Sequence, residues 1–312
     1  MNVAIIGSNG FIGSHLAERL AKIPTVNLFL FGRAKTSAFE YAKSYAKIDL
    51  LNQEQIKSQF FDIDIVYYLV SATIPATSWE KPSIELEQNL LPFITFTECI
   101  AKLNVKKIIF VSSAGTIYGS SSQKVMEDSD KKPFSPYGII KLTIEYFLNY
   151  FKTKYNINFD IYRISNVYGE GQDTSKGLGI VNTFIENILQ HQQIKIFGNG
   201  DSTRNYVYVK DVAELLTYSV TSDVNESNIF NIASDDTESI NDLLIVLKNV
   251  IVENFEVIYT DKRQSDNSII DLDNTKILKL MPKFKYTGIE DGIKQTYYHI
   301  KNKNNTNLKT NE

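Results

Sequence analysis

The chain has 312 residues, 43% hydrophobic and 22% charged, enough apolar material for a large core and for two domains. A formal net charge of -3 leaves no basic footprint for nucleic acid, and no run approaches the roughly 18 consecutive apolar residues of a membrane span. One cysteine, Cys99, excludes an internal disulfide framework; with Met1 leading straight into an apolar run and no signal-peptide pattern, a cytoplasmic protein is expected.

Taken in chain order, residues 3–6 form a short apolar run, glycines follow, and 11–22 carry a helical pattern. Residues 28–31 read as a second strand, 47–50 as the end of a third, 63–70 as a fourth and 107–112 as a fifth. A long helical pattern, 84–103, lies between the last two. Continuous apolar strands separated by amphipathic helices predict a parallel sheet covered on both faces. That is a doubly wound α/β (Rossmann) domain.

Beyond Ser135 a helix runs to about Tyr155, and 159–164 returns as a strand. Past Gly169 the alternation weakens. Glycine-rich loops at 169–179 and 198–200 flank a helix near 180–190, while 206–219 and 229–232 are candidates to rejoin the main sheet. The expected organisation is a dinucleotide-binding domain of residues 1–168 with 205–235, then a smaller C-terminal α/β substrate-binding domain of 169–204 and 236–300. The polar, aperiodic tail 301–312 is expected to be disordered.

His15, His191 and His299 lie far apart without metal-ligand spacing, and no metal site is expected. No Walker A loop, Ser-His motif or 20–50-residue repeat is present. The stretch VAIIGSNGFIG does carry chemistry. It sets Gly7, Gly10 and Gly13 between the first strand and first helix, where a tight turn, a close backbone approach and a helix N-terminus bind pyrophosphate. A second candidate is SPYGIIK, which puts Tyr137 and Lys141 four residues apart, on one face of a helix.

The G-x-x-G-x-x-G spacing, taken with Tyr137 and Lys141, resembles the short-chain dehydrogenase/reductases, in their extended, nucleotide-sugar-modifying branch (the NAD-dependent epimerase/dehydratase family). Further blocks carry the resemblance in order: KIDLLN with Asp49 and Leu50, Asn89, SSAGTIYG at 112–119, RISNVYGEGQ at 163–172, and IFGNGDSTRNYVYVKDVA at 196–213. It is strong to about Asn231 and thin beyond. The resemblance implies cofactor contacts from Gly7, Gly10, Phe11, Ile12, Gly13, Asp49, Leu50 and Asn89. It implies an acid/base role for Tyr137, with Lys141 favouring the phenolate and holding the nicotinamide ribose. Asn166 and Arg204 would contact the sugar diphosphate, with Arg263 as a second phosphate contact. Arg163, inside the sixth strand, is expected to be structural.

Two departures stand out. Where NAD-users of this kind place an Asp after the second strand, this chain has Gly32 followed by Arg33. An Arg without the acid can accept a 2′-phosphate, which favours NADP(H) slightly over NAD(H). The usual Ser or Thr four residues before the motif tyrosine Tyr118 is Ala114. Thr116, which shares the parity of Ala114 if the strand continues, and Ser113 are the substitute donors.

The cofactor preference tilts the expectation towards reduction at C4 of a UDP- or dTDP-linked 4-keto-(6-deoxy)hexose, in surface-polysaccharide sugar biosynthesis. A nucleotide-sugar 4-epimerase with tightly held NAD is the alternative. An inactive dinucleotide sensor, motivated by Ala114, is a third. The resemblance also implies a homodimer packed through the helices at 84–103 and 136–155.

Overall fold

Val3, Ala4, Ile5 and Ile6 are all buried, which makes β1 (Asn2–Ile6) a strand covered on both faces. Such a strand needs parallel neighbours and helices above and below. The computed structural model describes residues 1–309 apart from 35–43, 76, 122, 176, 223–225 and 262–269. After β1 come α1 (Phe11–Leu20), β2 (Asn27–Gly32), β3 (Ser44–Lys47), α2 (Gln53–Phe60) and β4 (Ile65–Tyr68). They are followed by α3 (Ser83–Glu85), a π-helical turn (Leu86–Leu90), α4 (Leu91–Ile100), β5 (Lys107–Ser113), α5 (Ala114–Tyr118), α6 (Pro136–Tyr155) and β6 (Asn158–Ile164).

These strands form a seven-stranded sheet in the order β3-β2-β1-β4-β5-β6, completed by the strand Asn228–Ile232. Pairing is parallel from β3 to β6. The chain is therefore the doubly wound α/β protein that its apolar pattern predicts. The strand order reverses at β1, with Ile6 standing between Phe31 on β2 and Tyr68 on β4. Open α/β sheets bind ligands at the carboxyl ends of the strands beside such a switch. Below that edge lies an aromatic core of Phe31, Phe60, Phe93, Phe96 and Phe110.

Local sequence explains where the helices begin and stop. Asn52 caps α2 by accepting from the Gln55 N–H, and Ser135 caps α6 by accepting from the Gly138 N–H, with Pro136 in the first turn. Helix α6 ends at Asn156, in the left-handed region with φ 57°. The long helix expected over 84–103 is instead α3, the π turn and α4. Pro92 has no N–H to give to the carbonyl four residues back, and the ladder widens in the turn just before it.

The chain divides into two compact units. The first, Met1–Gly119 with Glu127–Ile164 and Ala213–Asn231, holds the main sheet. The second comprises Ser120–Met126, Ser165–Val212 and Ile232–Glu312. It contains the helices Ile180–Leu189, Ile240–Val250, Thr275–Leu280 and Ile289–Lys309 and three two-stranded ribbons. Tyr206–Tyr208 does not rejoin the main sheet: it pairs with Asn166–Tyr168.

The tail expected to be disordered from Lys301 is helical to Lys309. Tyr297 and Lys301 both donate to Glu253, which anchors the last helix. Each further residue then adds one hydrogen bond to a turn already formed. Among the described residues no helix is long and apolar enough to cross a membrane.

Candidate active site

The glycine loop is shaped by close approaches. Gly7 has φ +88°, and its N–H and that of Ser8 donate to the Phe31 carbonyl at 2.9 and 3.2 Å. A Cβ on Gly13 would collide with the Gly7 carbonyl oxygen, so α1 can start against the loop only with glycine there. The free N–H groups of a helix's first turn make this an anion site. Beside the loop opens a cleft of about 760 Å³, lined among others by Gly7, Gly10, Arg33, Asp49, Leu50 and Ser71. Phe11, Ile12 and Gly13 form the first turn of α1. The cradle and cleft fit a dinucleotide.

Asn89, in the π turn, holds the loop that follows β4. Its Oδ1 accepts from the Ala72 N–H at 2.8 Å, and its Nδ2 donates to Thr73 Oγ1 and Glu85 Oε2, each at 2.9 Å. At the far end of the cleft, a Cβ on Gly32 would stand 2.8 Å from the Tyr45 hydroxyl. That hydroxyl donates to the Ala34 carbonyl at 3.0 Å. Tyr45 thus occupies the space into which an acidic side chain at position 32 would project, and Arg33 is exposed beside it.

Tyr137 and Lys141 come together as the helical spacing predicts. They line a cavity of about 10 Å³ with Val70, Ser71, Glu85 and Asn89, and Val70 and Ser71 also line the large cleft. The pair therefore stands at the end of the cleft. The Tyr137 hydroxyl shares a hydrogen bond with the Ser71 side chain. Lys141 Nζ donates to the Val111 carbonyl at 3.1 Å, 4.8 Å from the Phe110 ring centre and 5.5 Å from that of Tyr137.

The electrostatics differ from the expected phenolate. Burial pushes Tyr137 up to about 12, and Glu85 adds to the rise against the Ser71 hydrogen bond. Burial also pulls Lys141 down to about 8, opposed by Glu85 and Glu145. Desolvation disfavours both charged forms, so at neutral pH Tyr137 is a phenol beside a charged ammonium.

The parity argument for Thr116 does not hold, because β5 ends at Ser113 and α5 begins at Ala114. At about 100° per residue, Ala114 and Thr116 face nearly opposite ways. Thr116 instead abuts α6, and a Cβ on Gly138, the residue after Tyr137, would collide with its carbonyl oxygen. Its Oγ1 is buried without a partner among the described residues. Ser113 is half-buried at the start of α5, and Ala114 is wholly buried.

Arg163 is structural, 2% exposed. It donates to Glu145 at 2.6 Å, to the Tyr118 hydroxyl at 2.6 Å and to the Glu127 carbonyl at 2.8 Å. Ser112 donates to the same Glu145 at 2.7 Å. Ser71, Glu85 and Glu145 were not singled out by sequence reasoning. The signal available was helical spacing: Glu85 lies four residues before Asn89, and Glu145 four after Lys141.

In the second unit, the exposed Asn166 donates its N–H to the Asn205 carbonyl at 3.2 Å. That brings it next to Arg204, which stands opposite Glu238 in a short antiparallel ribbon. Arg263 lies outside the described residues.

A family model described as the NAD dependent epimerase/dehydratase family matches residues 3–233. The structure of UDP-glucose 4-epimerase from Thermotoga maritima with UDP-glucose is similar at a TM-score of 0.88 and 28% identity, over 97% of this chain and 99% of that one. The Thermus thermophilus UDP-glucose 4-epimerase complexed with NAD gives 0.86 and 25%, over 96% and 99%. The dTDP-4-dehydro-6-deoxyglucose reductase of Escherichia coli is 26% identical over 300 residues, 93% of this chain and 95% of that protein. The glycine loop, the switch point and the Tyr137–Lys141 helix all fall within the matched span, and the chain belongs to the NAD-dependent epimerase/dehydratase family, in the nucleotide-sugar branch of the short-chain dehydrogenase/reductases.

Proposed function

We propose that this protein oxidises and reduces C4 of a nucleotide-linked hexose, with 4-epimerisation of a UDP-sugar as the net reaction. The observation that carries it is the Tyr137–Lys141 pair at the end of a dinucleotide-sized cleft, joined to it through Ser71. The two similar 4-epimerase structures, one with UDP-glucose and one with NAD, favour epimerisation.

Gly7, Gly10, Phe11, Ile12 and Gly13 would hold the cofactor pyrophosphate, Asp49 and Leu50 its adenine end, and Asn89 the loop beside the nicotinamide. A bound nicotinamide would supply reversible hydride transfer at C4. Tyr137 exchanges the C4 hydroxyl proton, giving it up as the phenol where a carbonyl is reduced and taking it as the phenolate where a hydroxyl is oxidised. Lys141 supplies a fixed positive charge beside it, and Thr116 or Ser113 supplies the hydroxyl that Ala114 lacks. Asn166, Arg204 and Arg263 are the candidate contacts to the nucleotide diphosphate. The exposed apolar stripe on α6, with Leu91 on α4, supports a homodimer, and the single buried Cys99 suits a reducing, cytoplasmic setting.

A second reading is NADPH-dependent reduction of a nucleotide-linked 4-keto-6-deoxyhexose. Gly32, filled by Tyr45, with Arg33 exposed beside it, favours it, as does the phenol form of Tyr137. The deciding experiment incubates purified protein with UDP-glucose without added cofactor and identifies the nucleotide released on denaturation. Epimerisation gives UDP-galactose and NAD. Loss of NADPH absorbance with a dTDP-linked 4-keto-6-deoxyhexose, and no UDP-galactose, establishes the reductase. Cofactor binding without turnover of either leaves the sensor. Tyr137→Phe is expected to cut either turnover about 10²–10⁴-fold while cofactor still binds; full turnover by that variant sinks the assignment.

A further inference from the structure

Glu85 ends the short helix α3 and is 1% exposed. One carboxylate oxygen, Oε2, accepts from Asn89 Nδ2 at 2.9 Å. The other, Oε1, is buried without a hydrogen-bond partner among the described residues. The side chain faces the small cavity that Tyr137 and Lys141 also line, walled otherwise by Val70, Ser71, Asn89, Ile140 and Ile144. A carboxylate that accepts from a single neutral amide in a mostly apolar wall is an expensive arrangement unless a positive charge shares the space.

The groups facing Lys141 identify that charge. From its own helix come Tyr137 and Glu145, from β5 the Phe110 ring and the Val111 carbonyl, and from α3 Glu85. Glu145 is committed elsewhere: it accepts from Arg163 Nε and Nη2 and from Ser112 Oγ. Of the two buried carboxylates around Lys141, Glu85 alone has no guanidinium of its own.

We propose that Glu85 is a positioning residue for the Tyr137–Lys141 pair: hung on Asn89, it is the countercharge that keeps the buried Lys141 ammonium charged and fixed beside Tyr137. Burial leaves Lys141 titrating near 8 even with both carboxylates opposing the fall. Without Glu85 the ammonium gives up its proton near neutrality, and the pair loses its fixed charge where the enzyme works. The inference rests on Tyr137 and Lys141 as the catalytic pair, but its test observes Lys141 itself and needs no substrate.

The experiment labels lysine Cε with ¹³C and follows the Lys141 signal with pH, assigned by its loss in Lys141→Arg. In Glu85→Gln, which preserves shape and the acceptor for Asn89, the Lys141 midpoint is expected to fall by about one unit or more, a tenfold change in protonation. An unmoved midpoint in the folded variant overturns the proposal. Should Gln at 85 prevent folding, Glu85→Asp decides. It withdraws the carboxylate by one methylene, so the midpoint falls part of the way; no movement overturns the proposal there too. In a turnover assay the alkaline loss of activity moves to lower pH in step with the Lys141 midpoint, which a purely structural role for Glu85 would not cause.

Discussion

Ala114 removes the hydroxyl that usually stands near the phenol, and two neighbours offer a replacement. Thr116 is the stronger candidate, because its Oγ1 is buried without a partner among the described residues and its backbone is set against Gly138, next to Tyr137, in the first turn of α6. Burying a hydroxyl without a hydrogen bond costs about 1–3 kcal/mol on mutational scales, which a substrate hydroxyl or carbonyl in reach would offset. Thr116→Val keeps the shape and removes the oxygen. It is expected to lower kcat by roughly 10-fold or more, the worth of one hydrogen bond made at the reacting centre. Ser113→Ala, at the half-buried last residue of β5, is expected to change kcat much less. Steady-state kinetics of the two variants decides, and the reverse ranking would move the role to Ser113.

The elements around the pair are tied together by Arg163, which joins β6 to α6 through Glu145 and to α5 through Tyr118. Breaking a buried ion pair by deleting one partner typically costs about 3–5 kcal/mol, because the other charge is left unpaired. Arg163→Met is therefore expected to destabilise the protein by that amount in urea unfolding. Arg163→Met combined with Glu145→Leu should recover much of the loss; equal instability of single and double variants would show that packing, not charge, carries the effect. This network also marks the limit of what the sequence discloses. Apolar runs such as 3–6 and 108–111 reveal the strands, because the middle of a strand buried on both faces has no polar positions. The Ser-Pro at 135–136 reveals where α6 starts. Helical spacing sets Glu85 beside Asn89 and Glu145 beside Lys141, but spacing alone does not separate a buried glutamate from a solvated one. The parity argument for Thr116 fails for a related reason: parity holds only while a strand continues, and β5 stops at Ser113.

At the scale of the whole molecule, helix α6 leaves Ile139, Tyr146 and Tyr150 exposed, at 49%, 63% and 45%. Their spacings of seven and four residues put them on one face of the helix. Leu86 in the π turn and Leu91 on α4 are also half exposed, at 54% and 50%. Single exposed apolar residues need no explanation, but a stripe of large ones along a helix marks an interaction surface. A second copy of the same stripe, related by a twofold axis, would cover it, as in a homodimer, where a specific interface buries roughly 1,000 Å² or more. Tyr146→Glu places a charge on the most exposed position of the stripe, where burial in an interface would cost it its hydration. The wild type is expected to sediment as a dimer at micromolar concentration and Tyr146→Glu as a monomer. Tyr259→Glu, at a tyrosine 54% exposed on the strand Val257–Thr260, should leave the dimer intact. A monomeric wild type, or dissociation by both substitutions alike, would remove α6 as the interface.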